Sequence, residues 1–546
     1  MAYKSKNGMV TSSNPISSNV GLNILKKGGN AVDAAIATAF ALCVVEPFSC
    51  GVGGVGLMNI HFQENNETTY IDFIGNVPSN IKPDIYEVDL NKSFGYTHYP
   101  SVKNNENIYG YKASVVPGHV AGLYKAHELY GKTEFSELIE PSIKLAKEGF
   151  TVEGHLSYSI SSVMENMKSY PEFNQTFLKE GRPLNFTSFY PVFIADRLIQ
   201  KNLSNTLDNI ARNGSTNFYN GDISEMIVDQ MEKHGGTITK NDLSSYQPKV
   251  IKIKPILYRG YEVFAPIQGG MIVSEALKIL EQYDLERIGH NEPKTLSLIS
   301  KALKYSFKDA FSVVGYPYDN KAKEVVAESY ISDSLTDLDN IENQKHVKND
   351  YSSTTHLSVI DKERNMVSLT LTLGPGPSVM IENTGIMMNA TMMTCNPIPG
   401  NIDSIRPGEV PLSPMSPMLC LKDNQPLLVV GASGGRRIVS ACLQIISNIL
   451  DHKMGMQEAH ESPRIHSEYW MKEILLDQRI PETVTKKLKE RDHKTISLEE
   501  TIYSYHFSNP NGILVQDDGR IEGGISPLHV GSGNRGYYGI FPIACF

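Results

Sequence analysis

The chain has 546 residues, of which 40% are hydrophobic and 20% are charged. This length and balance are typical of a large globular protein with several structural units, and they exclude a collagen-like or low-complexity chain. With 51 Lys and Arg against 60 Asp and Glu, the net charge is -9 and no basic block occurs, which argues against nucleic acid or an anionic membrane as a partner.

The cysteines and the N-terminal sequence bear on the cellular compartment. The six cysteines include no CxxC pair and are too few for a disulfide scaffold. The N-terminal sequence has no apolar segment typical of a secretory signal, and the longest apolar stretch, 31–45, is shorter than the roughly 20 residues that cross a bilayer. We therefore expect a cytoplasmic protein, although a mature form without its leader would look the same. No phosphate-binding loop, zincin motif or metal-knuckle spacing occurs, so we expect neither metal nor cofactor.

In chain order, the first predicted element is an Ala-rich helix over 30–45, with Asn30 as its cap. A glycine cluster at 51–56 lacks GxGxxG in a strand–turn–helix context, and we interpret it as close backbone packing rather than phosphate binding. A strand pair is predicted near 57–73. Apolar recurrence at i, i+3 and i+4 then predicts helices over 118–130, 135–148, 194–212, 222–235, 273–284 and 295–312.

The sequence changes character after a polar run at 339–353, which indicates an exposed loop. Strands are predicted at 354–361 and 366–373, and the second of these alternates Ser and Thr with Leu and Val. Another strand at 426–431 leads into an apolar helix over 437–451. The chain therefore combines a largely helical first part with a strand-rich second part.

The two strands after the loop have a predicted register. A three-residue hairpin loop would place Thr354 opposite Thr372 and align the hydroxyl side chains of both strands on one face. Such a loop needs a residue with positive φ, for which Arg364 is a poor choice, and a two- or four-residue loop would place Thr355 opposite Thr372 instead. The hydroxyl-rich face is either a functional face or an ordinary solvated strand face.

Thr354 stands where the polar loop meets the first of these strands. A Thr hydroxyl is a poor nucleophile unless a base lies beside it. A free α-amino group on the same Thr can be that base if the chain is cut before it. If the register holds, the Thr372 hydroxyl could position Thr354. The alternative is an ordinary threonine at the start of a strand.

The segment GASGG at 431–435 lies between a predicted strand and a predicted helix. It matches the GxSxG nucleophile elbow, which would make Ser433 the nucleophile. Paired glycines at a helix start can instead expose amides as an oxyanion hole for a nucleophile elsewhere, and a tight structural turn is a third interpretation. The acid and base that the elbow would need later in the chain are Asp477 and either His506 or His529.

A third candidate is PLSPMSP at 411–417, where three prolines fix an extended loop that has little entropy left to lose. Rigid loops that present Ser hydroxyls suit a substrate site, and a loop with only a structural role is the alternative.

Six longer segments carry the remaining evidence on the class of protein. These are GMVTSSNPISSNVGLNILKKGGNAVDAAIATAFALCVVEP near the N-terminus, VPGHVAGL at 116–123, NFYNGDISEMIVDQMEKHGGTITKNDLSSY at 217–246, YRGYEVFAP at 258–266, STTHLSVIDKERNMVS at 353–368 and GASGGRRI at 431–438.

In this order, the set resembles the γ-glutamyltranspeptidase family of N-terminal-nucleophile hydrolases over nearly the whole chain. The resemblance implies an α+β fold, a four-layer αββα sandwich with two mostly antiparallel sheets between helical layers. It also implies a proenzyme that cuts itself between Ser353 and Thr354. The products would be a large subunit, 1–353, and a small subunit, 354–546, in one intertwined unit, with an oligomer of such heterodimers as an option.

The resemblance also implies roles for individual residues. Thr354 would be the catalytic nucleophile with its own α-amino group as base, and Thr372 would be the family's second threonine, which hydrogen-bonds the first. Gly434 and Gly435 would supply the oxyanion-hole amides. Ser433 is then a loop residue rather than the nucleophile.

Departures from the family pattern concern the groups that bind a γ-glutamyl zwitterion. The Arg that usually follows the Asp-Phe dipeptide and binds the α-carboxylate is Ile74 here. The acidic residues that usually bind the α-amino group are replaced around Met393 and Thr394. Each missing ionic contact is worth a few kcal/mol when buried, in the range of about 1.5–3 kcal/mol for a charged hydrogen bond.

Two further positions depart from the family, and two arginines could compensate. An Asn usually found two residues past the second Thr is Gly374, and the usual Ser-Ser pair is Ser413-Pro414. Arg436 or Arg406 could replace the missing Arg.

We therefore predict a self-processing amidohydrolase that acts on a small-molecule amide through a threonyl acyl-enzyme, with altered acyl specificity. One alternative is a true γ-glutamyltransferase or glutathione hydrolase with a rebuilt substrate clamp. Another is a homologue that does not process itself and acts as a binding or scaffold protein.

Overall fold

The structure is a computed structural model, and it describes residues 3–93, 98–189, 192–327, 330–331, 353–501, 504, 506–526 and 543–545. Most of the predicted polar loop, 339–352, lies outside these residues, as does His529. No helix in the described ranges is both long and apolar enough to cross a membrane.

The described helices include those predicted over 30–45, 118–130, 135–148, 222–235, 273–284, 295–312 and 437–451, with some ends displaced, and others that were not predicted. They are α1 (Pro15–Lys26), α2 (Ala31–Val45), α3 (His119–Tyr130), α4 (Phe135–Glu148), α5 (Gly154–Met167), α6 (Pro171–Phe177), α7 (Lys201–Asn213), α8 (Thr216–Asn220), α9 (Asp222–His234), α10 (Lys240–Ser244), α11 (Gly269–Leu280), α12 (Leu285–Ile288), α13 (Pro293–Asp309), α14 (Lys321–Glu324), α15 (Arg437–Leu450), α16 (Met456–Glu461) and α17 (Glu482–Lys489). A π-helical turn continues α13, and short 3₁₀ turns lie at Lys103–Asn105 and Thr391–Thr394.

The strands include the two predicted at the start of the second part of the chain. They are β1 (Tyr3–Ser5), β2 (Met9–Ser12), β3 (Val55–Phe62), β4 (Glu67–Phe73), β5 (Val88–Ser93), β6 (Pro100–Val102), β7 (Phe150–Thr151), β8 (Leu178–Lys179), β9 (Arg182–Pro183), β10 (Phe186–Phe189), β11 (Val192–Ala195), β12 (Arg197–Leu198), β13 (Lys249–Lys252), β14 (Ile256–Tyr258), β15 (Tyr261–Phe264), β16 (Ser353–Ile360), β17 (Met366–Gly374), β18 (Met380–Ile381), β19 (Ile386–Met387), β20 (Met418–Lys422), β21 (Gln425–Ser433), β22 (Ile465–His466), β23 (Glu473–Asp477), β24 (Lys494–Leu498), β25 (Asn509–Val515), β26 (Ile521–Ile525) and β27 (Ile543–Cys545).

Two seven-stranded antiparallel sheets pack face to face. One has the order β1-β26-β25-β21-β20-β15-β14, and the other has the order β13-β4-β3-β17-β16-β2-β27. An apolar cluster joins the outer face of the second sheet to α1 to α4, and another surrounds α11, α13 and α15 on the first sheet. The predicted α+β, four-layer αββα sandwich is therefore confirmed.

The predicted hairpin register is confirmed. Strand β16 pairs with β17 so that Thr354 lies opposite Thr372. The Asp361 amide donates to the Asn365 carbonyl at 3.2 Å, which closes the three-residue loop. Arg364 takes the positive φ that this loop needs, 70°, and its guanidinium donates to the Gly519 carbonyl at 2.6 Å. The contact with Gly519, which is distant in the sequence, thus stabilises an arginine at a turn position where glycine is normally preferred.

The hydroxyl-rich face of this hairpin packs between the two sheets, so the solvated-face alternative is wrong. The side chains of Ser358, Ser368 and Thr370 are fully buried. They remain hydrogen-bonded, as buried hydroxyls must: the His356 ring contacts Thr370 at 2.9 Å and Ser358 at 3.1 Å. Burial lowers the pKa of His356 to about 3, so this ring is neutral.

Two other sequence-based expectations have clear outcomes. The glycine cluster at 51–56 is a close-packing site, as predicted, because a Cβ on Gly53 or Gly54 would lie 2.4 or 2.7 Å from a backbone carbonyl oxygen. The helix predicted over 194–212 was wrong in its first part. Residues 197–198 form β12 because they pair with β7, and the helix begins only at Lys201.

A carboxyl pair is buried between α11 and α13. The side chains of Glu275 and Asp309 are each 1% exposed. Burial raises the pKa of Glu275 well above its ordinary 4.5, and the neighbouring Asp309 carboxyl raises that pKa further. The folded protein therefore holds a proton that the unfolded chain releases as the pH rises above that ordinary value.

Because the folded state binds this proton more tightly, the free energy of unfolding should fall as the pH rises from 5 to 8. Glu275→Gln keeps the shape and cannot ionise, so its stability relative to the wild type should increase over the same interval. Urea unfolding at both pH values measures this difference. Glu232→Gln, an exposed change on α9, should give no pH-dependent difference, and an equally flat result for Glu275→Gln would contradict the prediction.

Candidate active site

A pocket opens beside the start of β16. Seven of the predicted site residues line it: Thr354, Thr372, Gly374, Ser413, Pro414, Gly435 and Arg436. Most of the remaining wall is apolar or aromatic and includes Val55, Tyr99, Phe311, Met393, Leu412, Met415 and Ile438. Ser353, Gly434 and Ile74 are not lining residues.

The centre of the site is the carbonyl oxygen of Ser353. The Thr354 hydroxyl oxygen lies 2.8 Å from it, and the Thr372 hydroxyl oxygen lies 2.6 Å from it. The two hydroxyl oxygens are themselves 3.0 Å apart. A carbonyl contacted by two hydroxyl donors is polarised towards nucleophilic attack, and one hydroxyl is itself the candidate nucleophile.

Hydrogen-bond direction around Thr372 follows from its neighbours. The Gly374 amide donates to the Thr372 hydroxyl oxygen at 2.8 Å, which leaves the single hydroxyl proton of Thr372 to be donated elsewhere. The Ser353 carbonyl oxygen is its nearest acceptor. Gly374 has a positive φ of 90°, a conformation that glycine adopts at little cost. Gly374, which stands where the family usually has Asn, thus fixes the Thr372 hydroxyl through its backbone amide.

The peptide bond between Ser353 and Thr354 lies at an irregular, partly exposed end of β16. The pairing between β16 and β17 is irregular between these two residues, and the Ser353 hydroxyl donates to the Phe48 carbonyl oxygen. Thr354 is only partly buried, whereas the next residue, Thr355, is fully buried. The bond predicted to break therefore lies at the last irregular position before a regular ladder.

The glycine pair lies between β21 and α15. Gly434 and Gly435 have φ values of 133° and 59°, so both positions favour glycine. A Cβ on Gly434 would lie 2.9 Å from the Ser508 Cα atom. Within the described ranges neither amide donates a hydrogen bond to the protein, and Gly435 lines the pocket with Thr354. Gly434 is not a lining residue, so the oxyanion-hole role of the pair stays a prediction, with the Gly435 amide as the donor nearer to Thr354.

Ser433 does not resemble an activated nucleophile. Its side chain is 2% exposed, and its hydroxyl contacts the Asn509 carbonyl oxygen at 3.5 Å. Asp477 forms an ion pair with Arg479, and no hydrogen bond joins Ser433 to Asp477 or His506 in the described part of the chain. The surrounding sheet is antiparallel, unlike that of the strand–turn–helix elbow.

Arg436 is held rigidly in the pocket wall. Its guanidinium donates to the Glu468 carboxylate at 3.0 Å and lies 4.6 Å from the centre of the Trp470 ring and 5.5 Å from that of Phe311. The His98 ring stacks on Trp470 at 3.9 Å. Burial, and then the nearby Arg436 charge, lower the pKa of His98 to about 3, so His98 is neutral.

Glu468 carries the charge that stabilises Arg436. Burial alone would raise the pKa of this carboxyl, but Arg436, His466 and Arg437 outweigh burial and hold the pKa at about 2. The His466 ring contacts the other carboxylate oxygen at 2.8 Å and the Ser440 hydroxyl at 2.7 Å. Both carboxylate oxygens are thus engaged, and the arginine is fixed by a chain of buried polar groups.

Arg406, the other proposed substitute for the family's Arg, and Ile74, which stands in place of that Arg, are not lining residues. Arg406 forms an ion pair with Asp319 at 3.5 Å and stacks on Tyr316, and it does not line the pocket. Ile74 is fully buried in the same apolar cluster as Val55 and Leu412 of the pocket wall. Its role in substrate binding stays a prediction.

Sequence reasoning missed several lining residues. Tyr99 and Phe311 belong to distant segments that carry no motif, and nothing in the sequence pointed to them. Thr391 lies in the segment where the usual acids are replaced, and its buried hydroxyl has no hydrogen-bond partner in the described ranges. The charged residues of the lining are Arg436 and Arg437, and the lining includes no Asp or Glu among the residues that the structure describes.

Comparison with known proteins gives independent evidence on the family and the fold of this chain. A family model described as Gamma-glutamyltranspeptidase matches residues 17–535. A glutathione hydrolase proenzyme of Escherichia coli (strain K12) is 32% identical and covers 98% of this chain and 92% of its own. An acylase ACY 1 proenzyme of Pseudomonas sp. (strain V22) is also 32% identical, over 94% of this chain and 91% of its own. The crystal structure of cephalosporin acylase from Bacillus halodurans superposes with a TM-score of 0.84 over 100% of this chain and 97% of its own, at 24% identity.

Removing the Thr372 hydroxyl should slow the chemistry at the Ser353 carbonyl. Thr372→Val keeps the shape and deletes a donor to the carbonyl oxygen, so the rate of self-cleavage should fall about ten- to hundredfold. Denaturing gels of purified protein over time measure this rate. Thr372→Ser retains the hydroxyl and should stay within a few-fold of the wild type, and Ser433→Ala should cleave normally. Equal rates in the Val and Ser variants would rule out the role of this hydroxyl.

Proposed function

The chain belongs to the γ-glutamyltranspeptidase family, as its motifs predicted, and from this premise we propose a specific activity for it. It is a self-processing amidohydrolase whose preferred acyl group carries a carboxylate but no ammonium group. The observation that carries self-processing is the contact of the Thr354 and Thr372 hydroxyls with the Ser353 carbonyl oxygen, and the acyl preference rests on the charges of the pocket lining. Thr354 is the nucleophile in both self-cleavage and turnover.

Self-cleavage begins when the Thr354 hydroxyl oxygen attacks the Ser353 carbonyl carbon. The Thr372 hydroxyl stabilises the negative charge that develops on the carbonyl oxygen. Collapse of the tetrahedral intermediate breaks the C–N bond, transfers a proton to the Thr354 nitrogen and leaves an ester on its side chain. Water then hydrolyses the ester, which releases the Ser353 carboxylate and a free Thr354 α-amino group. The products are the two subunits, 1–353 and 354–546.

Turnover uses the same hydroxyl with a new base. The free α-amino group accepts the hydroxyl proton as Thr354 attacks the amide carbon of the substrate. The amides of Gly434 and Gly435 stabilise the oxyanion, and the same proton is delivered to the departing amine. Water hydrolyses the resulting acyl-enzyme ester. Gly435 and Thr354 line one pocket, which supports these roles.

The charges of the pocket support the acyl preference. Arg436 presents a fixed cation in a mostly apolar wall, which suits a carboxylate at the far end of the acyl group. A γ-glutamyl group also carries an ammonium group, and burying an unpaired charge is costly. The lining offers that ammonium no carboxylate among the described residues. A glutaryl group has the same length and lacks the ammonium.

A second candidate function is hydrolysis of glutathione itself. The identity to a glutathione hydrolase proenzyme over nearly the whole chain favours it, and it would require Arg436 to bind the α-carboxylate while the ammonium stays hydrated. A scaffold protein that does not process itself is the remaining alternative.

Self-cleavage can be tested directly. Purified wild-type protein should give two bands on a denaturing gel, and mass analysis of the smaller chain should show an N-terminus that reads Thr-Thr-His-Leu. Thr354→Ala lacks the nucleophile, so it should remain a single inactive chain. A wild-type protein that stays intact would favour the scaffold alternative, and a Thr354→Ala protein that still splits would exclude this mechanism.

Acyl preference can be tested with two substrates that differ in one group. Glutaryl p-nitroanilide and γ-glutamyl p-nitroanilide differ only in the α-ammonium, and we expect kcat/KM for the glutaryl compound to be at least ~100-fold higher, as for a loss of about 3 kcal/mol of transition-state binding. Oxamate and pentanoyl amides complete the panel. Efficient hydrolysis of the γ-glutamyl compound or of glutathione would establish the second candidate instead.

A test of the role of Arg436 requires a variant that does not leave the Glu468 carboxylate buried without its partner. Arg436→Met combined with Glu468→Gln removes both members of the ion pair together. Hydrolysis of the glutaryl compound should then fall about ten- to hundredfold in kcat/KM. Hydrolysis of the uncharged pentanoyl compound should change little, because its acyl chain contacts only the apolar wall. A parallel loss with both substrates would indicate general damage to the pocket.

A further inference from the structure

Gln268 connects two parts of the chain behind the pocket. It lies directly before α11, and its side chain is completely buried. The amide nitrogen donates to the Asp72 carboxylate at 3.0 Å, and the amide oxygen accepts the backbone N–H of Ser413 at 2.8 Å. Since a carboxylate only accepts and a backbone N–H only donates, the amide nitrogen of Gln268 must face Asp72 and its amide oxygen must face Ser413.

The Asp72 carboxylate anchors this connection. Besides Gln268, it accepts the Ile74 amide at 2.9 Å and the hydroxyls of Tyr70 and Tyr318 at 2.9 and 2.5 Å. The carboxylate is 2% exposed, so its four donors hold it in one orientation. A buried network with every member satisfied is rigid, and Gln268 transmits that rigidity to the loop at Ser413.

Ser413 and Pro414 are the part of the pocket wall that this connection controls. Both line the pocket with Thr354. The other side of the loop is fixed by close packing, because a Cβ on Gly269 would lie only 2.1 Å from the Pro414 carbonyl oxygen. Gln268 therefore holds the backbone and Gly269 allows α11 to approach, so together they set the distance between this wall and the nucleophile.

We infer that Gln268, anchored by Asp72, is a positioning residue that determines how tightly the pocket holds the acyl group. The inference rests on the proposed function in that the pocket is taken as the acyl site. In the described part of the chain, no hydrogen bond joins Gln268 to Thr354, Thr372 or Ser353, and the wall that it holds would contact the acyl group equally in the ground state and the transition state. Its loss should therefore raise KM and leave kcat and self-cleavage nearly unchanged.

The principal variant is Gln268→Met, which has a similar length and no amide. We expect KM to rise about tenfold, equivalent to about 1.4 kcal/mol, with kcat and the self-cleavage rate within about threefold of the wild type. The substrate is whichever anilide of the glutaryl, γ-glutamyl, oxamate and pentanoyl panel the wild type cleaves best. The anilide that the wild type prefers tests the proposed function. The change in KM that Gln268→Met causes with that same anilide tests the role of Gln268.

Gln268→Glu supplies a readout that a general packing role would not affect. When protonated, the introduced carboxyl donates to Asp72 and accepts from Ser413 as the amide does, and when ionised it faces a like charge. We expect a KM near that of the wild type at pH 6 and a KM about tenfold higher at pH 9, each relative to the wild type at the same pH. The titratable groups around this position are Asp72, Tyr70, Tyr246, Tyr318 and Lys249.

A matched control is Gln200→Met, which removes another buried glutamine that donates to the Val44 carbonyl oxygen away from the pocket. This variant should keep the wild-type KM. The inference is overturned if Gln268→Met leaves KM unchanged, if Gln268→Glu shows no pH dependence, or if Gln268→Met slows self-cleavage as much as it raises KM. The last outcome would mean that Gln268 only supports the fold.

Discussion

The active centre depends on one hydrogen-bonded register, which places Thr354 opposite Thr372 at the open end of the β16–β17 pair. A shift by one residue would turn every side chain of β16 to the other face of the sheet. The leucine and valine side chains would then lie between the sheets, and the hydroxyls would face α2. Because both faces of the hairpin are buried, this error is costly. The packing of the Leu and Val face against α2 and of the hydroxyl face against the other sheet therefore fixes the position of Thr354 relative to Thr372.

The same arrangement explains how a neutral polar interior is maintained. Between the sheets, hydroxyls and His356 satisfy one another, and the charged groups of the pocket stand at its wall, where Arg436 is compensated by Glu468. The Ser353 carbonyl oxygen is contacted by the Thr354 and Thr372 hydroxyls, neutral donors that polarise it.

The sequence allowed the register, the principal helices and the glycine turn to be predicted, because each depends on local periodicity or on residues close in the chain. Helix α7 was placed too early because the pairing of β12 with β7 overrode the local apolar pattern. The surroundings of Arg436 were out of reach for another reason: His98, Phe311 and Trp470 come from separate segments. Gln268 was equally hidden, since its partners are residues 72 and 413.

The strand order has a consequence for the protein once it is cut as proposed. In one sheet, β17 and β16 lie between β3 and β2, and in the other, β26 to β20 lie between β1 and β15. Each sheet would then alternate strands from two separate polypeptides. Unfolding would become a dissociation, with a midpoint that depends on protein concentration. Refolding would be bimolecular, so the order of events in the cell matters: the chain must fold first and be cut afterwards.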